Sequence, residues 1–119
     1  MRYTLDNNII QYLVTALWSS TGDDGQPMDA THSISDIDAE STQQAINDWN
    51  AFRDKAGTLL NGLDLTDIAH DFWLTRNRHG SGFWGGDYED AVGKVLTEIA
   101  HSFAGCDVIV CDDNTLQIV

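Results

Sequence analysis

Between Tyr3 and Phe52 the chain contains neither lysine nor arginine, yet it carries eight acids: Asp6, Asp23, Asp24, Asp29, Asp36, Asp38, Glu40 and Asp48. Of the six basic residues in 119, four fall between positions 53 and 78 (Arg53, Lys55, Arg76 and Arg78), and the formal charge is −13. A surface of that sign repels phosphate backbones and anionic lipid and attracts basic surfaces. Direct binding to nucleic acid or to a membrane is therefore not expected. No apolar run approaches the roughly 20 residues that a membrane helix requires. The start, Met1 to Asn8, lacks the apolar core of a secretory leader. There are two cysteines, Cys106 and Cys111. Five apart in a strand-like run, they face opposite sides and are held too far apart to bridge, so a reduced, cytoplasmic protein is expected. The single proline, Pro27, lies in a long polar stretch.

What the chain does have is enough for one core. Apolar residues make up 42%, with four Trp, four Phe and three Tyr, in a length near the usual single-domain size. The periodicity predicts one α+β domain of about four helices with a C-terminal β-hairpin packed on them. Ile9, Leu13, Ala16 and Leu17, widened by Ile10 and Tyr12, predict a helix over 5–18, capped by Thr4 or Asp6. Residues 19–37 read as a polar loop, whose length makes it functional or mobile. Asp23, Asp24 and Asp29 within it lack the spacing of a calcium loop. Asp38 opens a second helix over 38–61, with Ala45, Trp49, Phe52, Ala56, Leu59 and Leu60 on one face and Gly62 at its end; it is expected to pack on the first. Asp64 caps a third helix that ends near Arg76 and buries Leu65, Ile68, Ala69, Phe72 and Trp73. Asp87 caps a fourth with Tyr88, Val92, Val95, Ile99 and Phe103 toward the core, stopped by Gly105. Residues 107–111 and 115–119 form the hairpin around an Asp-Asn turn. A lone hairpin is marginal, so 81–85 or part of 19–37 is expected to add a strand.

The most unusual stretch runs from His70 to Tyr88. Gly80, Gly82 and Gly85 match G-x-G-x-x-G, but no strand precedes them, and Phe83 and Trp84 stand where a backbone would approach a phosphate. This is not a dinucleotide fingerprint. Gly80, Gly82, Phe83 and Trp84 read instead as a compact loop whose glycines turn the chain while the two aromatics plug the core. His70, Asp71, Arg76 and His79 are the candidate ligand or catalytic residues. An Asp orients one His, the second His moves a proton, and the Arg holds a carboxylate or phosphate. Ser81 is not in a nucleophile motif. A metal would need His32 or His101 as a further ligand, and the nine-residue histidine spacing is no zinc pattern, so no metal and no cofactor is assigned. The alternative is structural: Arg76 pairs with Asp71 or Asp87 and pins the loop to the fourth helix.

The acids define a second candidate surface: Asp23, Asp24, Asp29, Asp36, Asp38, Glu40 and Asp48. Carboxylates spaced like backbone phosphates can occupy the basic groove of a nucleic-acid-binding protein. The alternative is a solvated acidic face.

The run His70-Asp71-Phe72-Trp73-Leu74-Thr75-Arg76-Asn77, with His79, Gly80, Gly82, Phe83 and Trp84, resembles a group of small acidic proteins of bacteriophages and mobile elements. Leu96-Thr97-Glu98, the Asp112-Asp113 turn and Thr15 to Ser20 extend the resemblance over most of the chain. Gly85 and Asn114 stand where the pattern usually has Asp and Gly, so a metal site using that Asp would not carry over. The resemblance implies provenance, not chemistry. Together these readings lead to an accessory protein that binds and inhibits a host protein with a basic surface, a restriction or CRISPR nuclease being the target class, by mimicking DNA. Two alternatives stay open: a small-ligand, metal or catalytic site at His70, Asp71, Arg76 and His79, and a dimerisation module using the aromatic loop. The sequence leaves oligomeric state open.

Overall fold

Among the described residues, aspartates start three of the four α-helices. The structure, a computed structural model, describes residues 5–22, 25–79, 82–84 and 88–119. Helix α1 is Asn7–Ser19, and the Asp6 carboxylate accepts the Ile9 N–H at 3.0 Å. Helix α2 is Ala39–Ala56, with Asp38 accepting from Ser41 at 2.8 Å. Helix α3 is Leu65–Arg76, with Asp64 accepting from Thr66 and Asp67. Each such cap satisfies an otherwise orphaned donor and contributes about 1 kcal/mol. Helix α4, Asp90–His101, has Glu89 at its cap position and no side-chain cap bond. The cap expected at Asp87 lies outside the described residues. So do Thr4, Ser81 and Gly85.

Helix α2 is shorter than expected. It stops at Gly57 (φ +53°), and Gly57–Leu60 continue as a tighter 3₁₀ turn; Gly62 (φ +79°) makes the next turn. The core gathers between α1, α2, α3 and α4. The Phe72 ring stacks on Phe52 at 4.3 Å, and Phe52 stacks in turn on Phe83 at 5.7 Å. Tyr12 meets Trp73 edge-on at 5.4 Å. The main packing partner of α1 is α3 rather than α2.

Of the residues expected on the core face of α4, Tyr88, Val92, Ile99 and Phe103 pack half-buried against the core, but the deepest contact is turned one residue round. Gly93, Leu96 and Ala100 are buried, Val92 and Ile99 are half-buried, and Val95 is 39% exposed. The reason is Gly93. A Cβ there would sit 2.6 Å from the Phe83 carbonyl oxygen, so α4 presents its bare backbone to the 82–84 turn. A glycine adds nothing to an apolar pattern, so the fully buried line of Gly93, Leu96 and Ala100, about 100° round from Val92, Val95 and Ile99, is not read from the stripe.

Strands β1 (Val108–Val110) and β2 (Leu116–Ile118) pair antiparallel, Ile109 opposite Gln117. The added strand is a single residue of the 19–37 segment: Ile37 bridges in parallel to Leu116. That segment is otherwise built from a Thr21–Pro27 bridge and two 3₁₀ turns, Met28–Ala30 and Ile34–Asp36, with Met28 buried. Residues 82–84 form a turn instead of a strand. Among the described residues no helix is long and apolar enough to cross a membrane.

Candidate functional site

The last turn of α3 is buried all round, including Arg76 at 7% exposure. Its guanidinium is enclosed by three other segments. Nε and Nη2 donate to the Ala104 carbonyl at 3.1 and 2.7 Å, and Nη1 donates to the Tyr12 hydroxyl at 3.0 Å and to Asp48 Oδ2 at 2.7 Å. The rings of Phe72 and Phe103 lie 5.5 and 5.4 Å from its central carbon. Burial pushes the Tyr12 hydroxyl well above its usual pKa, against the pull of Arg76. Arg76 is thus consumed in holding α1, α2, α3 and the α4–β1 connection together. Its ion-pair partner among the described residues is Asp48, not Asp71, and Asp87 lies outside them.

His70 faces the other way. Its Nδ1 lies 2.8 Å from the Thr15 hydroxyl, which donates to the Gln11 carbonyl at 2.8 Å and accepts from Gln11 Nε2 at 3.0 Å. A hydroxyl has one proton, and the Gln11 carbonyl takes it, so in this hydrogen-bond arrangement His70 Nδ1 is the donor to Thr15. The ring lies beside Trp18, which is 55% exposed, at 6.0 Å. Asp71 accepts a short hydrogen bond from the Tyr88 hydroxyl and ties α3 to the segment before α4. His79 is half-buried beyond α3, its N–H bonded to the Leu74 carbonyl. The side chains of His70, Asp71 and Arg76 thus engage different elements instead of one another. Among the described residues, no three or more His, Cys, Asp or Glu side chains gather to hold a metal.

The loop does part of what its sequence implied. Phe83 is buried, with its N–H donated to the Thr75 hydroxyl at 3.2 Å. Gly82 (φ +156°) permits this approach, since a Cβ would lie 2.3 Å from Thr75 Oγ1. Trp84 is not a core plug: it is 45% exposed and lies 6.5 Å from the His101 ring. Between Trp84, Tyr88 and α4 runs an open cleft of about 430 Å³ with Lys94, Glu89 and Glu98 at its sides. Gly80 lies outside the described residues.

The acids divide by role. Asp36 closes a capping box by accepting the Ser33 N–H at 2.9 Å, Asp38 caps α2, and Asp48 holds Arg76. Asp29 and Glu40 are exposed. Asp23 and Asp24 lie outside the described residues. The hairpin adds two acids that the sequence reading left out. The Asp38 N–H bonds to Leu116, His32 Nε2 lies 3.1 Å from Asn114 Oδ1, and the Asp113 charge is felt at Asp38. Asp113 thereby comes near Asp38, whose N–H the hairpin holds, and Glu40 shares a shallow groove with Asp38 and the end of β2. The only sequence signal was the paired aspartate itself, because pairing across some 75 residues is not a local property. No protein-family model, curated protein or solved structure matches this chain.

Proposed function

We propose that this chain is an accessory protein of phage or mobile-element origin that acts in a bacterial cytoplasm. It binds a host protein through its acidic surface, which occupies a basic, nucleic-acid-binding groove; restriction and CRISPR nucleases are the target class. One observation carries the reading. Residues 25–48 and 95–119 contain no lysine or arginine, and the two segments meet where the Asp38 N–H bonds to Leu116, with Asp113 near Asp38. Arg53 and Lys55 stand in the last turn of α2, about 22 Å along the helix from Asp38 at 1.5 Å per residue. A groove that binds DNA would meet carboxylates from two segments that hold no lysine or arginine and gain the same release of counterions.

The structure identifies the acids that can be neutralised without touching the fold. Asp29, Glu40 and Asp112 are exposed, whereas Asp36, Asp38 and Asp48 are used internally. Tagged protein passed through bacterial lysate is expected to retain a partner that excess duplex DNA displaces. The Asp29→Asn, Glu40→Gln, Asp112→Asn protein is expected to bind more weakly and with a shallower salt dependence. Unchanged affinity and salt slope in that protein would sink the reading.

A further inference from the structure

The hairpin has two edges, and the fold treats them oppositely. Asp107, Ile109 and Cys111 turn their backbone groups toward β2: Asp107 and Val119 exchange both hydrogen bonds at 2.9 Å, and Cys111 donates to Thr115 at 2.8 Å. Antiparallel geometry then points the N–H and C=O groups of Val108 and Val110 outward. On β2 the outward residues are Leu116 and Ile118, and the start of α2 closes both. Leu116 accepts the Asp38 N–H at 2.9 Å, and Ile118 donates to the Ser41 hydroxyl at 2.9 Å. On β1, among the described residues, nothing pairs with the outward groups of Val108 and Val110.

The chemistry around this open edge favours one kind of occupant. Val108 is buried at the start of the strand, whereas Ile109 and Val110 are each 41% exposed and Val119, on the same face as Ile109, is exposed too. Asp107 and Asp112 bracket the strand, and no Lys, Arg or Pro occurs from Val95 to the end. Lysine and proline are the residues that usually block an edge against pairing. A second copy would bring another −13 charge against this one.

We propose that β1 is a docking edge that takes an extended segment of a partner protein as a third strand, with apolar residues at its centre and Lys or Arg at its ends. Backbone pairing at Val108 and Val110 supplies the affinity, and the flanking acids select the charge. The sign of that charge rests on the basic-partner reading above; the pairing does not.

The probe is an acetylated, amidated peptide, Lys-Lys-Val-Thr-Val-Lys-Lys, followed by amide NMR and hydrogen exchange on the full chain. In the free protein the exposed Val110 amide is expected to exchange fast while Ile109 is protected. Saturating peptide should slow Val108 and Val110 by at least about tenfold, the scale of one or two net hydrogen bonds. The same peptide N-methylated at alternate residues should bind at least about tenfold more weakly, for the same reason. Val110→Pro removes an outward N–H, which an edge strand tolerates, and Ile109→Lys places a repelling charge on an exposed site; each should abolish the protection. A Val110 amide already protected in the monomer, or equal binding of the N-methylated peptide, would overturn the proposal. Equal binding of a Glu-flanked peptide would overturn its charge assignment. Protection arising only in a self-associated dimer would make the occupant a second copy and overturn it too. The Asp29→Asn, Glu40→Gln protein keeps this pairing even if the acidic surface has no partner, so the two ideas fail separately.

Discussion

Arg76 and Asp48, 28 residues apart in sequence, meet at 2.7 Å with their side chains 6% and 21% exposed. The pair is unequal. Arg76 serves Tyr12, Asp48 and Ala104 at once from a buried position, while Asp48 retains contact with water. Lysine cannot reproduce a planar fork aimed at three acceptors. Arg76→Lys, which keeps the charge but loses the fork, is therefore expected to cost about 2–3 kcal/mol, just below the roughly 3–5 kcal/mol for removing one partner of a buried pair. Asp48→Asn keeps a hydrogen-bond acceptor and loses a partly solvated charge, so it should cost only about 1 kcal/mol. Urea unfolding of the two variants checks the asymmetry; equal losses would mean that the charge, not the fork, matters.

Asp38 links stability to pH. The Ser41 N–H donated to its carboxylate holds it below the usual aspartate range, and slight burial opposes that shift. The folded-state value is lower than the unfolded one, so the stabilisation is complete above the unfolded value of about 3.9 and fades as pH falls through the lower folded value. Asp38→Asn keeps a cap acceptor and removes this titration. Its acid-unfolding profile should be flatter below about pH 4 than that of the parent chain, with little change at pH 7. Asp38→Ala should cost about 1 kcal/mol at pH 7. Thermal melts from pH 2.5 to 7 on the three proteins separate the cap from the charge.

The caps were legible in sequence for the reason they are stable: Asp6, Asp38 and Asp64 each bond to a backbone two or three residues on. The hairpin was legible from its own alternation and turn residues. Less local features were not. Arg76 has acids nearer in sequence than Asp48, and only the packing of α2 beside α3 selects the latter. His70 and Asp71, adjacent in the chain, sit about 100° apart on a helix, so one reaches Thr15 and the other Tyr88. Their proximity in sequence suggested a shared site that helical geometry separates.

Gly93 offers a test in which propensity and packing disagree in sign. Mid-helix glycine is worse than alanine by about 1 kcal/mol, so Gly93→Ala would normally stabilise α4. Here the new methyl would lie 2.6 Å from the Phe83 carbonyl, which is backbone and cannot swing aside. A net loss of about 1–3 kcal/mol is expected, the usual cost of overpacking. Fluorescence of the exposed Trp84, one residue away, should shift with it. At Gly105 an added Cβ meets nothing closer than 3.5 Å, so Gly105→Ala serves as the near-neutral control. Stabilisation by Gly93→Ala would show that the 82–84 turn yields without cost.

Asn114 closes the hairpin in the left-handed region, at φ +68°. Its N–H bonds back to the Cys111 carbonyl at 2.9 Å, and Asp113 accepts the Thr115 N–H beside it at 3.1 Å. Glycine would relieve the backbone but would lose the Oδ1 contact to His32 at 3.1 Å, which ties the turn to the 26–37 segment. The two effects oppose each other at similar size. Asn114→Gly is therefore expected to change stability by less than about 0.5 kcal/mol, whereas Asn114→Ala, with neither advantage, should lose about 1–2 kcal/mol. His32→Ala distinguishes the terms: in its background the side chain of Asn114 has lost that partner, and Asn114→Gly should then stabilise. Chemical unfolding of the four proteins forms a double-mutant cycle. A coupling of zero between positions 32 and 114 would mean that Asn114 holds its turn through backbone preference alone.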